Sequence, residues 1–145
     1  MQQVHTIGIA DVKVVQHPEK IVIYDRVAKV GGMAHVILPS SAEGRGDRGK
    51  FADTAVDWLL EDAISAGCNK ARLAAKIAGG ASMFGPVTNT GLGERNAVAV
   101  KERLKHHSIR VVAEDVGGQS GRKMMLDPST GDVQVQTIGA EPTIM

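Results

Sequence analysis

The sequence predicts an α/β protein: a layered sandwich with a mixed, mostly antiparallel sheet and two main helices. Three observations predict it. Two segments carry apolar residues at helical spacing, strand-like segments outnumber them, and short polar turns join most of the strands. The 145 residues, 43% hydrophobic and 23% charged, suit one domain spanning residues 1–145.

Residues 4–15 read as one or two strands, with Ile7 and Ile9 alternating against polar neighbours. His17-Pro18 interrupts them. Residues 21–24 and 29–38 read as antiparallel strands joined across Asp25-Arg26-Val27-Ala28, with Pro39 closing the second. Residues 40–49 are polar and glycine-rich, an exposed loop. Over 50–66, Ala52, Ala55, Val56, Leu59, Leu60 and Ala63 fall on one helical face opposite Asp57, Glu61 and Asp62, and Gly67 supplies the stop.

Residues 69–77 return as a strand that Gly79-Gly80-Ala81 breaks. A second helix over 94–107 turns Ala97, Val100 and Leu104 inward and leaves Lys101, Arg103 and Lys105 in water. Residues 109–113 read as a buried strand. Segments 123–126 and 133–138 bracket Asp127-Pro128-Ser129-Thr130-Gly131-Asp132, which predicts a terminal β-hairpin.

The formal charge of +1 provides no strong field for a nucleic-acid backbone or an anionic membrane. Aromatics are 3%, too few for base-stacking platforms, so nucleic acid is not an expected partner. No apolar run approaches the roughly 20 residues that span a bilayer, so direct membrane insertion is not expected. One cysteine and an opening without a basic, apolar leader point to the cytoplasm.

Several residues are candidates for chemistry. His35 follows Gly31-Gly32 on an otherwise apolar strand, where it is either a hydrogen-bonded core residue or a general base and acid beside a place of close approach. Gly79 and Gly80 end a strand where backbone N–H groups can form an oxyanion nest. Ser82 lacks the glycine elbow of a serine nucleophile and reads as a turn residue. Arg95 and Asn96 open the second helix and can either pack there or brace neighbouring loops. His106 and His107 suit the negative end of that helix. Adjacent histidines diverge, and no Cys/His/Asp cluster has ligand spacing, so no metal and no cofactor is expected. Cys68 has no histidine near it in sequence and reads as inert.

Five motifs in order carry more than spacing: Gly32-Met33-Ala34-His35-Val36-Ile37-Leu38-Pro39, Lys50-Phe51-Ala52-Asp53-Thr54-Ala55-Val56, Lys76-Ile77-Ala78-Gly79-Gly80-Ala81-Ser82-Met83-Phe84, Gly93-Glu94-Arg95-Asn96, and Ala113-Glu114-Asp115-Val116-Gly117-Gly118 with Gly121-Arg122. From about Ile7 to Val135 the chain resembles the CheD family, the chemoreceptor glutamine deamidases. The resemblance implies a protein-glutamine glutaminase. A cysteine thiolate attacks a receptor carboxamide, a histidine assists, and water resolves the thioester to glutamate. His35 matches the family's catalytic histidine. The implied partners are the cytoplasmic part of methyl-accepting chemotaxis receptors and the CheC phosphatase.

In one place the chain departs from the family. The family's Gly-Leu-Gly-Ser-Cys stretch and the threonine before it have no counterpart here, because Glu19-Lys20 runs straight into Ile21-Val22-Ile23-Tyr24-Asp25. The chain is about a dozen residues short of the pattern there, judged by a strand of ordinary length. Either the segment stands between Lys20 and Ile21 in the working protein, the favoured expectation since the other motifs survive, or the protein lacks it. In the first case the missing cysteine is the nucleophile. In the second the protein is a catalytically dead adaptor for receptors and CheC. A third reading gives the nucleophilic role to Cys68.

Overall fold

Alternation along the strands assigns each side chain to a layer. The computed structural model describes residues 3–7, 19–43, 48–79, 92–116, 122–137 and 139–145. Strand β2 (Glu19–Asp25) turns back into β3 (Val30–Val36) through four residues, closed by a Lys29 N–H donated to the Asp25 carbonyl at 2.8 Å. Lys29 takes the left-handed conformation there, with φ of 56°. Strand β1 (Gln3–Ile7) lies parallel to β3 on one side of this pair. On the other side β4 (Ala74–Gly79) runs antiparallel to β2, and β5 (Arg110–Val116) runs parallel to β4. The order of this sheet is β1-β3-β2-β4-β5.

Helices α1 (Ala52–Ser65) and α2 (Leu92–His106) cover one face. Ile21, Ile23, Ala34, Val36, Ala75 and Ile77 meet Ala55, Val56, Leu59, Val100 and Leu104 there, and all are buried. Each large aliphatic side chain so placed contributes about 1.5–3 kcal/mol. Gly67 ends α1 with φ of 109°, a backbone setting that favours glycine.

The opposite face carries a second sheet of β6 (Arg122–Leu126), β7 (Val133–Thr137) and β8 (Thr143–Ile144), all antiparallel. Val22 and Ala78 pack against Met124, Val133 and Val135 between the sheets. The layers are therefore helices, five strands and three strands, a sandwich of the class read from the sequence.

The structure corrects three local expectations. Residues 69–77 do not begin as a strand: the Asn69 carboxamide oxygen accepts from the Ala71 N–H at 2.9 Å, capping a short 3-10 turn over Lys70–Arg72 before β4 starts. Strand β5 is not buried, because it is the open edge of its sheet and alternates exposed and half-exposed residues. The terminal hairpin gains a third strand, β8, which pairs with β7. Lys20 and Ile21 are successive members of β2, opposite His35 and Ala34 on one side and Ala78 and Ile77 on the other. The end of segment 4–15, residues 44–47 of the polar loop, and Gly80, Ala81 and Ser82 lie outside the described residues.

Candidate functional site

Residues opposite one another across a sheet share a face, and this places His35. It stands opposite Lys20 on β2, which is opposite Ala78 on β4, which in turn is opposite Asp115 on β5. The row faces the second sheet near its β6 end, where Arg122 Nε lies 3.3 Å from Asp115 Oδ1 and Arg122 Nη1 donates to the Gly79 carbonyl at 3.1 Å. His35 is half-buried, so its ring is not sealed inside the core.

Electrostatics keep this imidazole uncharged. Burial lowers the His35 pKa below the ordinary imidazole value, and the Lys20 ammonium lowers it further. Lys20 is itself lowered, first by burial and then by Arg122 and Lys123. A half-buried neutral imidazole beside a cation can accept a proton at neutral pH.

The backbone after His35 is held from several sides. Ile37 and Leu38 donate their N–H groups to the Lys50 carbonyl at 2.8 and 3.1 Å, and Ala52 donates to the Leu38 carbonyl at 2.9 Å. Asn96, fully buried on α2, donates Nδ2 to the Ile37 carbonyl at 2.8 Å, two residues beyond the histidine. Asn96 is thus a brace of the His35 strand. Arg95 points elsewhere: it is exposed and borders a shallow pocket with Pro39, Val98 and Glu102.

Gly79 ends β4 with φ of 123°. Its partner in the expected oxyanion nest, Gly80, lies outside the described residues. The Gly31-Gly32 pair has a packing role at its first position. A Cβ on Gly31 would lie 2.6 Å from Leu126 Cδ2 and 2.8 Å from the Ile23 carbonyl oxygen, so the close approach read from the sequence is that of the second sheet.

Cys68 is separate from the row. Its Sγ donates to the Val30 carbonyl at 3.4 Å, at the start of β3. His35 is five residues further along that strand, roughly 17 Å away at the rise of an extended chain. Burial, with Asp25 nearby, pushes the Cys68 thiol up to about 11. This is the inert cysteine of the first reading, and the geometry removes it as partner to His35.

Two ionic ties escaped sequence reasoning. Asp25, fully buried, accepts from the N–H groups of Val27, Ala28 and Asn69 at 2.9, 3.1 and 2.8 Å, and from Arg72 Nε at 3.0 Å. Burial alone would raise its pKa, but the Arg72 hydrogen bond and the backbone donors hold the carboxyl well below the usual range. An Asp opening a tight turn was the available signal. Asp57 on α1 accepts from Arg103 Nε at 2.7 Å and contacts His107 Nε2 at 2.6 Å, clamping α1 to α2. His107 therefore meets a carboxylate at the end of its helix.

Among the described residues, no group of three or more His, Cys, Asp or Glu could hold a metal, and no helix is long and apolar enough to cross a membrane.

A family model described as CheD chemotactic sensory transduction matches residues 37–137, starting two residues after His35. A probable chemoreceptor glutamine deamidase CheD of Syntrophomonas wolfei is 39% identical, with 96% of each chain covered. The chemoreceptor glutamine deamidase CheD of Halalkalibacterium halodurans is 41% identical over 95% of this chain and 96% of its own. A probable one from Thermococcus kodakarensis is 44% identical over 81% of this chain and 76% of its own. The Syntrophomonas alignment runs over 155 positions, more than the 145 residues of this chain, so part of that relative faces a gap here.

Proposed function

Because the chain belongs to the CheD family of chemotactic sensory transduction proteins, we propose that it binds the cytoplasmic part of chemotaxis receptors and deamidates their glutamine side chains at His35. The observation that carries this reading is His35 itself: a half-buried, uncharged imidazole at the margin between the two sheets, in a chain about two-fifths identical to proteins named as receptor glutamine deamidases. In the Cys-His chemistry that the resemblance implies, the imidazole takes the thiol proton as sulfur attacks the carboxamide carbon and returns it to the departing ammonia, and water then cleaves the thioester to the carboxylate. Each turnover replaces a neutral amide by a carboxylate, which changes the charge of a two-state receptor bundle by one unit.

Cys-His chemistry requires a thiol within hydrogen-bond reach of that imidazole. The one cysteine of this chain is buried, protonated and five residues of strand away. This observation favours a second reading, in which the chain keeps the receptor surface, binds the CheC phosphatase, and leaves the amide intact.

One experiment separates them. The full chain is incubated with a receptor cytoplasmic fragment while ammonia and intact receptor mass are followed. Ammonia with a gain of about one dalton per glutamine, lost in His35→Ala, supports deamidation. Unchanged mass with retained receptor and CheC binding supports the adaptor.

A further inference from the structure

At the end of the five-stranded sheet remote from His35, a cleft of about 770 Å³ opens beside the β6–β7 turn. Four cations line it: Arg26 after β2, Arg72 before β4, Lys76 on β4 and Arg110 on β5. Among the described residues, no Asp or Glu lines it. In a chain whose formal charge is only +1, this is a marked local excess.

Two of these cations, Arg26 and Arg110, are uncompensated among the described residues. Arg72 is neutralised by Asp25 at 2.9 Å. Lys76 Nζ donates to the Gly131 carbonyl at 2.9 Å and to a main-chain oxygen of Met145 at 2.6 Å, which fixes and satisfies the ammonium. Arg26 and Arg110 are exposed and, among the described residues, have neither a carboxylate nor a hydrogen-bond partner. Ser108 adds a hydroxyl to the wall, while Val22 and Val112 make an apolar floor.

We propose that this cleft binds an organic phosphate of nucleotide size carrying two or more negative charges. The cations are distributed over β2, β4 and β5, a width of about 10 Å at ordinary strand spacing, which suits a chain of phosphates better than a single ion. Guanidinium forks match phosphate oxygens in pairs. The cleft falls within the size range of small-molecule sites. The apolar floor takes the uncharged part of the ligand. The site is independent of His35, so the reading of the receptor reaction stands or falls separately.

The test is calorimetric titration of the full chain with ADP, with inorganic pyrophosphate and with a glutamate-rich decapeptide, repeated on the double variant Arg26→Ala, Arg110→Ala. Both side chains are exposed, and an unchanged melting temperature verifies the fold. The expected result is binding of ADP and pyrophosphate that weakens about tenfold or more in the variant. ADP should also shift the backbone amide resonances of Ser108, Arg110 and Val112. No binding of ADP at millimolar concentration, equal affinity in the variant, or binding of the decapeptide alone would each overturn the proposal.

Discussion

Lys20 and His35 face each other directly across the β2–β3 ladder, so a cation and an imidazole share one patch of the inter-sheet face. Side chains so paired have Cβ atoms about 5 Å apart. Burial lowers the proton affinity of the histidine, and the lysine lowers it further.

Lys20→Met should therefore raise the His35 pKa toward the ordinary imidazole value, because one of the two causes of its lowering is removed. A histidine lowered in the folded state makes the unfolded chain the better proton binder. Its contribution is fully present above the unfolded value, near 6.5, and is lost as pH falls from there through the folded value. NMR titration of the His35 ring in both proteins checks the shift.

Asp25→Ala should cost about 2–4 kcal/mol, since three backbone N–H groups and Arg72 lose their shared acceptor. The Asp25 carboxyl is depressed, so its contribution is present above the unfolded value and disappears as pH falls below about 4 through the folded one. Urea unfolding at neutral and acidic pH measures both effects, and equal stability of variant and parent at neutral pH would refute the account.

Asp57→Asn removes the charge that clamps α1 to α2. Arg103 and His107 hold Asp57 down to about 2, so the tie persists until the pH drops through roughly 4 to 2. The side chains are partly exposed, and the expected loss is about 1 kcal/mol at neutral pH. Thermal melts of the variant detect it.

Gly31→Ala should destabilise by about 1–3 kcal/mol, because the new Cβ meets Leu126 Cδ2 and the unyielding Ile23 carbonyl. Truncating Leu126 to Ala in the same chain would relieve only the first contact. A double-mutant cycle by urea unfolding separates the two.

Cys68 should resist a water-soluble disulfide reagent in the native protein and react at once in denaturant, given its burial and a thiol raised to about 11. Rapid native labelling would contradict the structure.

Local pattern alone determined much of this protein. The apolar stripes of α1 and α2, the β2–β3 and β6–β7 hairpins and the stop at Gly67 rest on interactions between residues near in sequence, so periodicity and turn chemistry suffice to read them. His35 stood out as the one ionisable residue in its apolar strand. Lys20 follows from the register of the hairpin, but Asp115 and Arg122 reach the row only through the order and stacking of strands, which follow from long-range packing. The same reason hid the edge position of β5, the third strand β8, and the clamps at Asp25 and Asp57, whose cations lie 47 and 46 residues away. The tertiary structure also decided what the glycine pair and the lone cysteine are for. Gly31 admits the second sheet, and Cys68 lies at the wrong end of β3, because a fold assigns space by which layers must touch.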